Sequence, residues 1–374
     1  MKRKILIVFG TRPEAIKMAP LVKAMEADGS LELRVCVTAQ HRQLLDMVLG
    51  FFDIKPDYDL NLMKVNQRLA ELSAAILRGM DQIIHSFKPD MVFVHGDTTT
   101  STLTALAAFY QQVPVAHVEA GLRTYQRYAP FPEEINRQLT GRMASLHFSP
   151  TMAAKANLIR EGVEETGIHV TGNTVIDALY WTKNKLQNYT DLEIDALKEL
   201  LDPTKKLLLV TTHRRESFGK GIGTICKALE LLASRDDVEI LFPVHPNPNV
   251  RDLVNARLGN TKAVHLTEPL GYPAFAWAMI QSYLVITDSG GIQEEAPSLG
   301  KPVLVLREVS ERPEAIAAGF AKLVGTNTQK IVAEATVLLD EASRFSAMTS
   351  NQSPYGDGQS AAKILIEVKR FLDS

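Results

Sequence analysis

Short, continuous apolar runs alternate with helix-length amphipathic segments along this chain, and that alternation limits the fold more than any other feature. Runs at 5–9, 33–37, 91–94, 113–118 and 146–148 read as strands, and stretches at 14–27, 69–87, 102–111 and 134–143 read as helices. Pro13 is placed to open the first helix. Strands that are apolar at nearly every position, with helices between them, predict a parallel sheet covered on both faces. The rhythm then restarts, with strands at 206–211, 238–242, 264–266, 284–287 and 303–306 and helices at 223–233, 251–258, 274–281, 292–299 and 330–339. The expected class is therefore α/β, with two units in tandem that change over between residues 165 and 190. A last helix, 359–372, follows the turn-rich stretch 353–358. In open parallel sheets, ligands bind beyond the carboxyl ends of the strands, so the informative residues should sit just after strands.

The 374 residues are enough for two or three domains. Lys and Arg number 41 against 43 Asp and Glu, a formal charge of −2. That balance argues against nucleic acid or an anionic membrane as the main partner, but not against a small anion met by a local cluster of donors. Cys36 and Cys226 lie in different halves, which excludes a disulfide framework and a CxxC metal pair, and both are expected as buried thiols. No stretch approaches the ~18 apolar residues of a membrane span. The run 5–9 is too short for a signal-peptide core, so a cytoplasmic location is expected.

Several loops after strands carry charge. Arg12 falls at the start of the first helix with Lys17 about one turn further in, where cations and the helix dipole together favour an anion; solvated surface charges are the alternative. The loop is not GxGxxG, so it gives no support to a dinucleotide site. Asp97, in His95-Gly96-Asp97-Thr98, could simply cap the next helix. Glu119 follows a buried strand directly and is harder to read as a cap. Glu133 and Glu134 suit the positive end of the helix they open, with Arg137 on its next turn. In the second half, His213 and His245 follow strands. The sharpest local signal is Asp288-Ser289-Gly290-Gly291, between a strand and a helix. Two glycines there let bare backbone N–H groups approach a phosphate, and Ser289 adds a hydroxyl. Glu295, one turn on, can accept from two neighbouring hydroxyls such as a ribose diol. Metal ligation is poorly supported: there is no HExxH, acidic calcium loop or compact His/Cys spacing. A GxSxG elbow is also lacking, which disfavours a serine hydrolase.

Taken together, the segments FGTRPEAIKMAP (9–20), VHGDTTTS (94–101), HVEAGLRT (117–124), FPEEINRQLTGR (131–142), TGNTVIDAL (171–179), VTTHRRESFG (210–219), TDSGGIQEEAPSLGKPVLV (287–305), ERPEA (311–315) and PYGDG (354–358) span nearly the whole chain in order. The set resembles the non-hydrolysing UDP-N-acetylglucosamine 2-epimerases. The resemblance implies a GT-B-like fold of two Rossmann-type domains with the active site in the interdomain cleft. It implies a first domain of residues 1–168, joined by a returning helix 359–374, and a nucleotide-binding domain of 169–358. It further implies a homodimer with no cofactor and no metal, whose ligands are UDP-N-acetylglucosamine, UDP-N-acetylmannosamine and UDP. By the same resemblance, Arg12, His213, Ser289, Gly290, Gly291 and Arg312 would hold the uridine diphosphate. Glu295 would bind the ribose, and Phe275 and the Leu270 backbone the uracil. Lys17, Asp97, Glu119, Glu133 and Arg137 would surround the sugar. Gln40, His41 and Gln43 match a second, allosteric site of some bacterial members, with Asn66 where those carry an Arg. Ser310 stands where Thr is usual in the family.

The chemistry of such a reaction makes its own demands. The C2 proton of this sugar is not next to a carbonyl, so direct abstraction leaves an unstabilised carbanion. Expelling UDP from C1 makes that proton acidic; elimination gives 2-acetamidoglucal, and UDP adds back as a proton arrives on the other face. Strong diphosphate binding, a carboxylate base and a proton donor are required. Asp97, Glu119 and Glu133 are the available carboxylates, and clustering would split their pKa values; His213 is assigned to the leaving phosphate. The product would supply surface polysaccharide synthesis. Alternatives are a hydrolysing epimerase, a GT-B glycosyltransferase, an epimerase of a diacetamido uronic acid nucleotide and a non-catalytic sugar-nucleotide sensor.

Overall fold

The structure, a computed structural model, describes residues 2–38, 42–62, 67–212, 220–310, 312–349 and 353–374. The chain divides into two compact units, Met1–Tyr180 with Tyr355–Ser374, and Trp181–Pro354. The division falls inside the 165–190 changeover expected from the strand–helix rhythm, and the first unit resumes at Tyr355. The reason is pairing: Ile168–Val170 adds the last strand to the first sheet, and Asn173 donates its backbone N–H to Tyr355 O at 2.7 Å.

Among its described residues the first unit contains seven parallel strands: β1 (Arg3–Phe9), β2 (Leu31–Val37), β3 (Tyr58–Asp59), β4 (Met91–His95), β5 (Val115–Val118), β6 (Leu146–Ser149) and β7 (Ile168–Val170), in the order β3-β2-β1-β4-β5-β6-β7. Ile5 to Phe9 are all 0% exposed. Leu6 and Val8, with Val92 and Val94, pack on the helices Leu69–Phe87 and Thr99–Tyr110. Ile5, Ile7 and Phe9 point to the other face and are buried as well, so both faces are covered. Each such side chain contributes about 1.5–3 kcal/mol by leaving water. The strand expected at 113–118 starts at Val115, because Val113 closes a turn on Ala108 O and Pro114 has no N–H to give the ladder.

The second unit repeats the plan, with six parallel strands among its described residues: β8 (Lys206–Thr211), β9 (Val238–Pro243), β10 (Val264–Thr267), β11 (Leu284–Thr287), β12 (Val303–Val305) and β13 (Ala321–Leu323), in the order β10-β9-β8-β11-β12-β13. Its core joins Leu208, Val210, Ile240, Phe242 and Ile286 to the helices Lys220–Leu232, Pro248–Leu258 and Thr328–Asp340. Both sheets reverse strand order beside their first strand, between β1 and β4 and between β8 and β11. At such a switch point the flanking loops diverge and leave a crevice. Cys36 and Cys226 are buried free thiols, as expected.

Candidate active site

In the first unit the switch-point loops follow β1 and β4, and their side chains hold one another. Thr11 caps the helix Arg12–Glu26 in a capping box with Glu14. The Glu14 carboxylate is buried and accepts from Gly10 N at 3.0 Å, Thr11 N at 2.8 Å and Thr98 Oγ1 at 2.7 Å. Burial pushes its pKa up, against the pull of those donors. Glu14 thereby ties the loop after β1 to the loop after β4, a role the sequence reading did not assign. Arg12, the first residue of that helix, is half-buried. Lys17, one turn on, reaches Glu119 Oε1. The anion it meets within the chain is therefore a carboxylate.

Asp97 is not a helix cap. Thr98 caps the helix Thr99–Tyr110 through Ser101 N, and Asp97 instead pairs with Arg137 Nη2. Its backbone carbonyl accepts from Asn136 Nδ2 at 3.0 Å. Burial pushes the Asp97 carboxyl above the usual carboxylate range; Glu119 and Glu133 push the same way, and Arg137 and Lys17 pull back. The group is therefore poised to keep its proton further up the pH scale than an ordinary aspartate. The side chains of Glu119 and Lys17 are 9% and 16% exposed. Glu119 takes a left-handed φ of 61°, a conformation that costs a non-glycine residue about 1–3 kcal/mol. It is held there by Gly96 N to Val118 O at 2.8 Å and Ala120 N to Phe148 O at 3.0 Å. Two residues on, a Cβ at Gly121 would come within 2.2 Å of Ala154 O, so only glycine fits this turn.

Glu133 and Glu134, adjacent in sequence, have different tasks. Glu133 is half-buried at the start of the helix Glu133–Met143 and acts on Asp97. Glu134 is 0% exposed and accepts from Thr124 N, Thr124 Oγ1 and Tyr125 N, each at 3.0 Å. Burial would raise its pKa, but together those donors hold it low. On the neighbouring strands β4, β5 and β6 lie His95, His117 and His147, whose pKa values burial lowers to about 4, 3 and 4. They are neutral at pH 7. Asn173, also unassigned from sequence, donates to Glu119 Oε1 at 2.9 Å. Its signal was its place in the loop after β7, a strand too short to be read.

In the second unit the switch-point loops follow β8 and β11. Most of the first loop, with His213, lies outside the described residues, as do Gln40, His41 and Asn66; Gln43 falls in the first turn of the helix Arg42–Phe51. After β11, Asp288 is fully buried, and Ser289 N donates to Thr287 Oγ1 at 3.0 Å. Ser289 is the N-cap of the helix Gly290–Ser298, but its side chain makes no capping bond. Gly290 and Gly291 open that helix, and Glu295 is half-buried one turn on. Three residues brace this loop, of which only Gln293 had drawn no attention in the sequence. Gln293 Nε2 donates to Ser289 O at 3.0 Å, Ser310 Oγ donates to Gln293 Oε1, and Arg312 N donates to Ser310 Oγ at 2.9 Å. Arg312 Nε pairs with the buried Glu294. Phe275 is half-buried on the helix Tyr272–Gln281, just after Leu270.

Two Rossmann-type units of this topology belong to the GT-B-like class of α/β proteins. The family model of UDP-N-acetylglucosamine 2-epimerase matches residues 23–369. The chain is 55% identical over 369 residues to the UDP-N-acetylglucosamine 2-epimerase of Escherichia coli K12, covering 98% of each. A crystal structure from Listeria monocytogenes superposes with a TM-score of 0.93 at 49% identity, covering 100% of this chain and 98% of that one. The UDP-GlcNAc 2-epimerase of Neisseria meningitidis, solved bound to UDP-GlcNAc, gives 0.88 at 46%, covering 98% and 100%. The chain belongs to the UDP-N-acetylglucosamine 2-epimerase family.

Proposed function

We propose that this chain is a non-hydrolysing UDP-N-acetylglucosamine 2-epimerase, interconverting UDP-N-acetylglucosamine and UDP-N-acetylmannosamine. The observation that carries the reading is the cluster of Asp97, Glu119, Lys17 and Arg137 at the carboxyl ends of β1, β4 and β5, with Glu133 acting on it. Family membership supplies the substrate class. The glycine pair after Ser289, with Arg312 and Glu295, binds the nucleotide; Arg12 and His213 add charge to the diphosphate. These donors stabilise the negative charge that develops on UDP as the C1–O bond breaks. The electron pair of the C2–H bond then forms the C1–C2 double bond of 2-acetamidoglucal, and a carboxylate takes the proton. Re-addition of UDP at C1, with proton delivery to the opposite face of C2, completes the inversion. A raised Asp97 suits the proton donor and Glu119, held by Lys17 and Asn173, suits the base.

No described helix is long and apolar enough to cross a membrane; the reading places the enzyme in the cytoplasm as a homodimer, supplying activated sugar for surface polysaccharide. The test is to incubate the protein with UDP-N-acetylglucosamine alone in D2O and follow it by NMR. A mixture of the two UDP-sugars with deuterium at C2 is expected. Free N-acetylmannosamine would identify the hydrolysing class instead, and an unchanged substrate would point to a transferase or a sensor.

A further inference from the structure

Glu119 is gripped by a residue that also sits where the chain leaves and re-enters the first unit. That unit ends at Tyr180 and resumes at Tyr355, and the two segments are latched within it. Asn173 N donates to Tyr355 O at 2.7 Å, and Ala361 N to Asp177 Oδ1 at 2.8 Å. A Cβ on Gly172 would stand 3.0 Å from both Gly356 Cα and Tyr355 O. Asn173 itself is 2% exposed, and its Oδ1 accepts from Val175 N at 3.1 Å. That bond settles which end of the amide is oxygen, so Nδ2 is the atom that meets Glu119. Asn173 and Lys17 share Oε1, leaving Oε2 facing His95 Nε2 at 3.6 Å.

We propose that Asn173 is a positioning residue for the reaction: it aims the Glu119 carboxylate at C2 and ties that aim to the paired crossing segments 172–180 and 355–361. The proposal rests on the reading of Glu119 as a catalytic carboxylate. Any displacement of the crossings moves the Asn173 backbone through Tyr355 and so moves Glu119.

The test uses the full-length enzyme with Asn173→Ser and Asn173→Asp, both of which keep a side-chain oxygen for Val175 N at the start of the helix Thr174–Lys185 and so keep the fold. Both lose the amide donor. The expected result is a fall of about 10- to 100-fold in kcat and in C2 deuterium exchange, the scale of a misplaced reacting group. KM and UDP affinity should stay within about twofold. The acidic limb of kcat against pH should move upward, because a carboxylate that loses a donor holds its proton more tightly. In a Glu119→Gln background, Asn173→Ser should lower the residual exchange no further. An unchanged kcat, or an equal further loss in that background, would overturn the positioning role and leave the Glu119 reading standing. Full exchange by Glu119→Gln alone would instead overturn the reading on which the proposal rests.

Discussion

In the first unit the switch-point residues hold one another by charge: Lys17 on Glu119, Arg137 on Asp97, and a buried Glu14 beneath them. In the second, the corresponding loop is braced by neutral bonds, Ser310 to Gln293 to Ser289, with the ion pair of Arg312 and Glu294 beside them. The difference teaches a division of labour. Paired charges in a half-buried setting shift pKa values and can move protons; a braced helix start with bare N–H groups presents fixed dipoles and can hold an anion without titrating. Variants of the first cluster should act on the chemical step, and variants of the second on nucleotide affinity.

Asp97→Asn should give the largest effect, since it removes the proposed proton-transfer group while keeping the shape. Turnover should fall about 10²–10⁴-fold, with UDP affinity by calorimetry within about twofold. A comparable loss of UDP binding would erase the division. Glu295→Gln tests the other side. On the proposed reading Glu295 holds the ribose in ground and transition states alike, so KM should rise about 10- to 100-fold with kcat at saturation unchanged. A fall confined to kcat would assign Glu295 to the chemistry.

The first unit should also respond to acid through its buried histidines. His147 is held neutral by burial, with a pKa near 4 against an ordinary 6.5. Between those values the unfolded chain binds a proton that the folded chain refuses, so stability falls as pH drops through this window. The slope is up to about 1.4 kcal/mol per pH unit for this group. His147→Gln removes it. By denaturant melts the variant should gain on the wild type from pH 6.5 down to about 4 and level off below. Glu14 and Asp97 contribute with the opposite sign, since their raised pKa values let the folded chain take protons first. A parallel pair of curves would mean His147 titrates normally.

The central strands and their loops were legible because burial on both faces leaves an uninterrupted apolar run. Residues 206–211, 284–287 and the helix 69–87 were read with the bounds the structure shows. The edge strands Tyr58–Asp59, Ile168–Val170 and Ala321–Leu323 were missed, because two or three residues at a sheet edge carry no such run. The same physics limited the site. Charged residues right after a central strand stood out. Asn173 follows an edge strand, and Gln293 and Ser310 act through neutral bonds that no charge pattern reveals. The boundary near 180 could be bracketed but not fixed, because the pairing of β7 and the Tyr355 contact are long-range.

The smallest effect, and the finest test of the division, belongs to Ser310. Its hydroxyl donates to Gln293 Oε1 and accepts from Arg312 N at 2.9 Å, linking the loop after β12 to the helix start at Gly290. Ser310→Ala leaves both partners short of a bond, each worth about 1 kcal/mol. On the proposed reading the carboxylates Asp97 and Glu119 carry the chemistry and this brace serves the nucleotide. UDP affinity by calorimetry should therefore fall about three- to tenfold, while C2 exchange at saturating substrate stays within about twofold. Ser310→Thr retains the hydroxyl and should behave as the wild type. If Ser310→Ala slowed saturated exchange while leaving UDP affinity intact, the neutral brace would be part of the proton chemistry, and fixed dipoles would no longer be a sufficient account of the second unit.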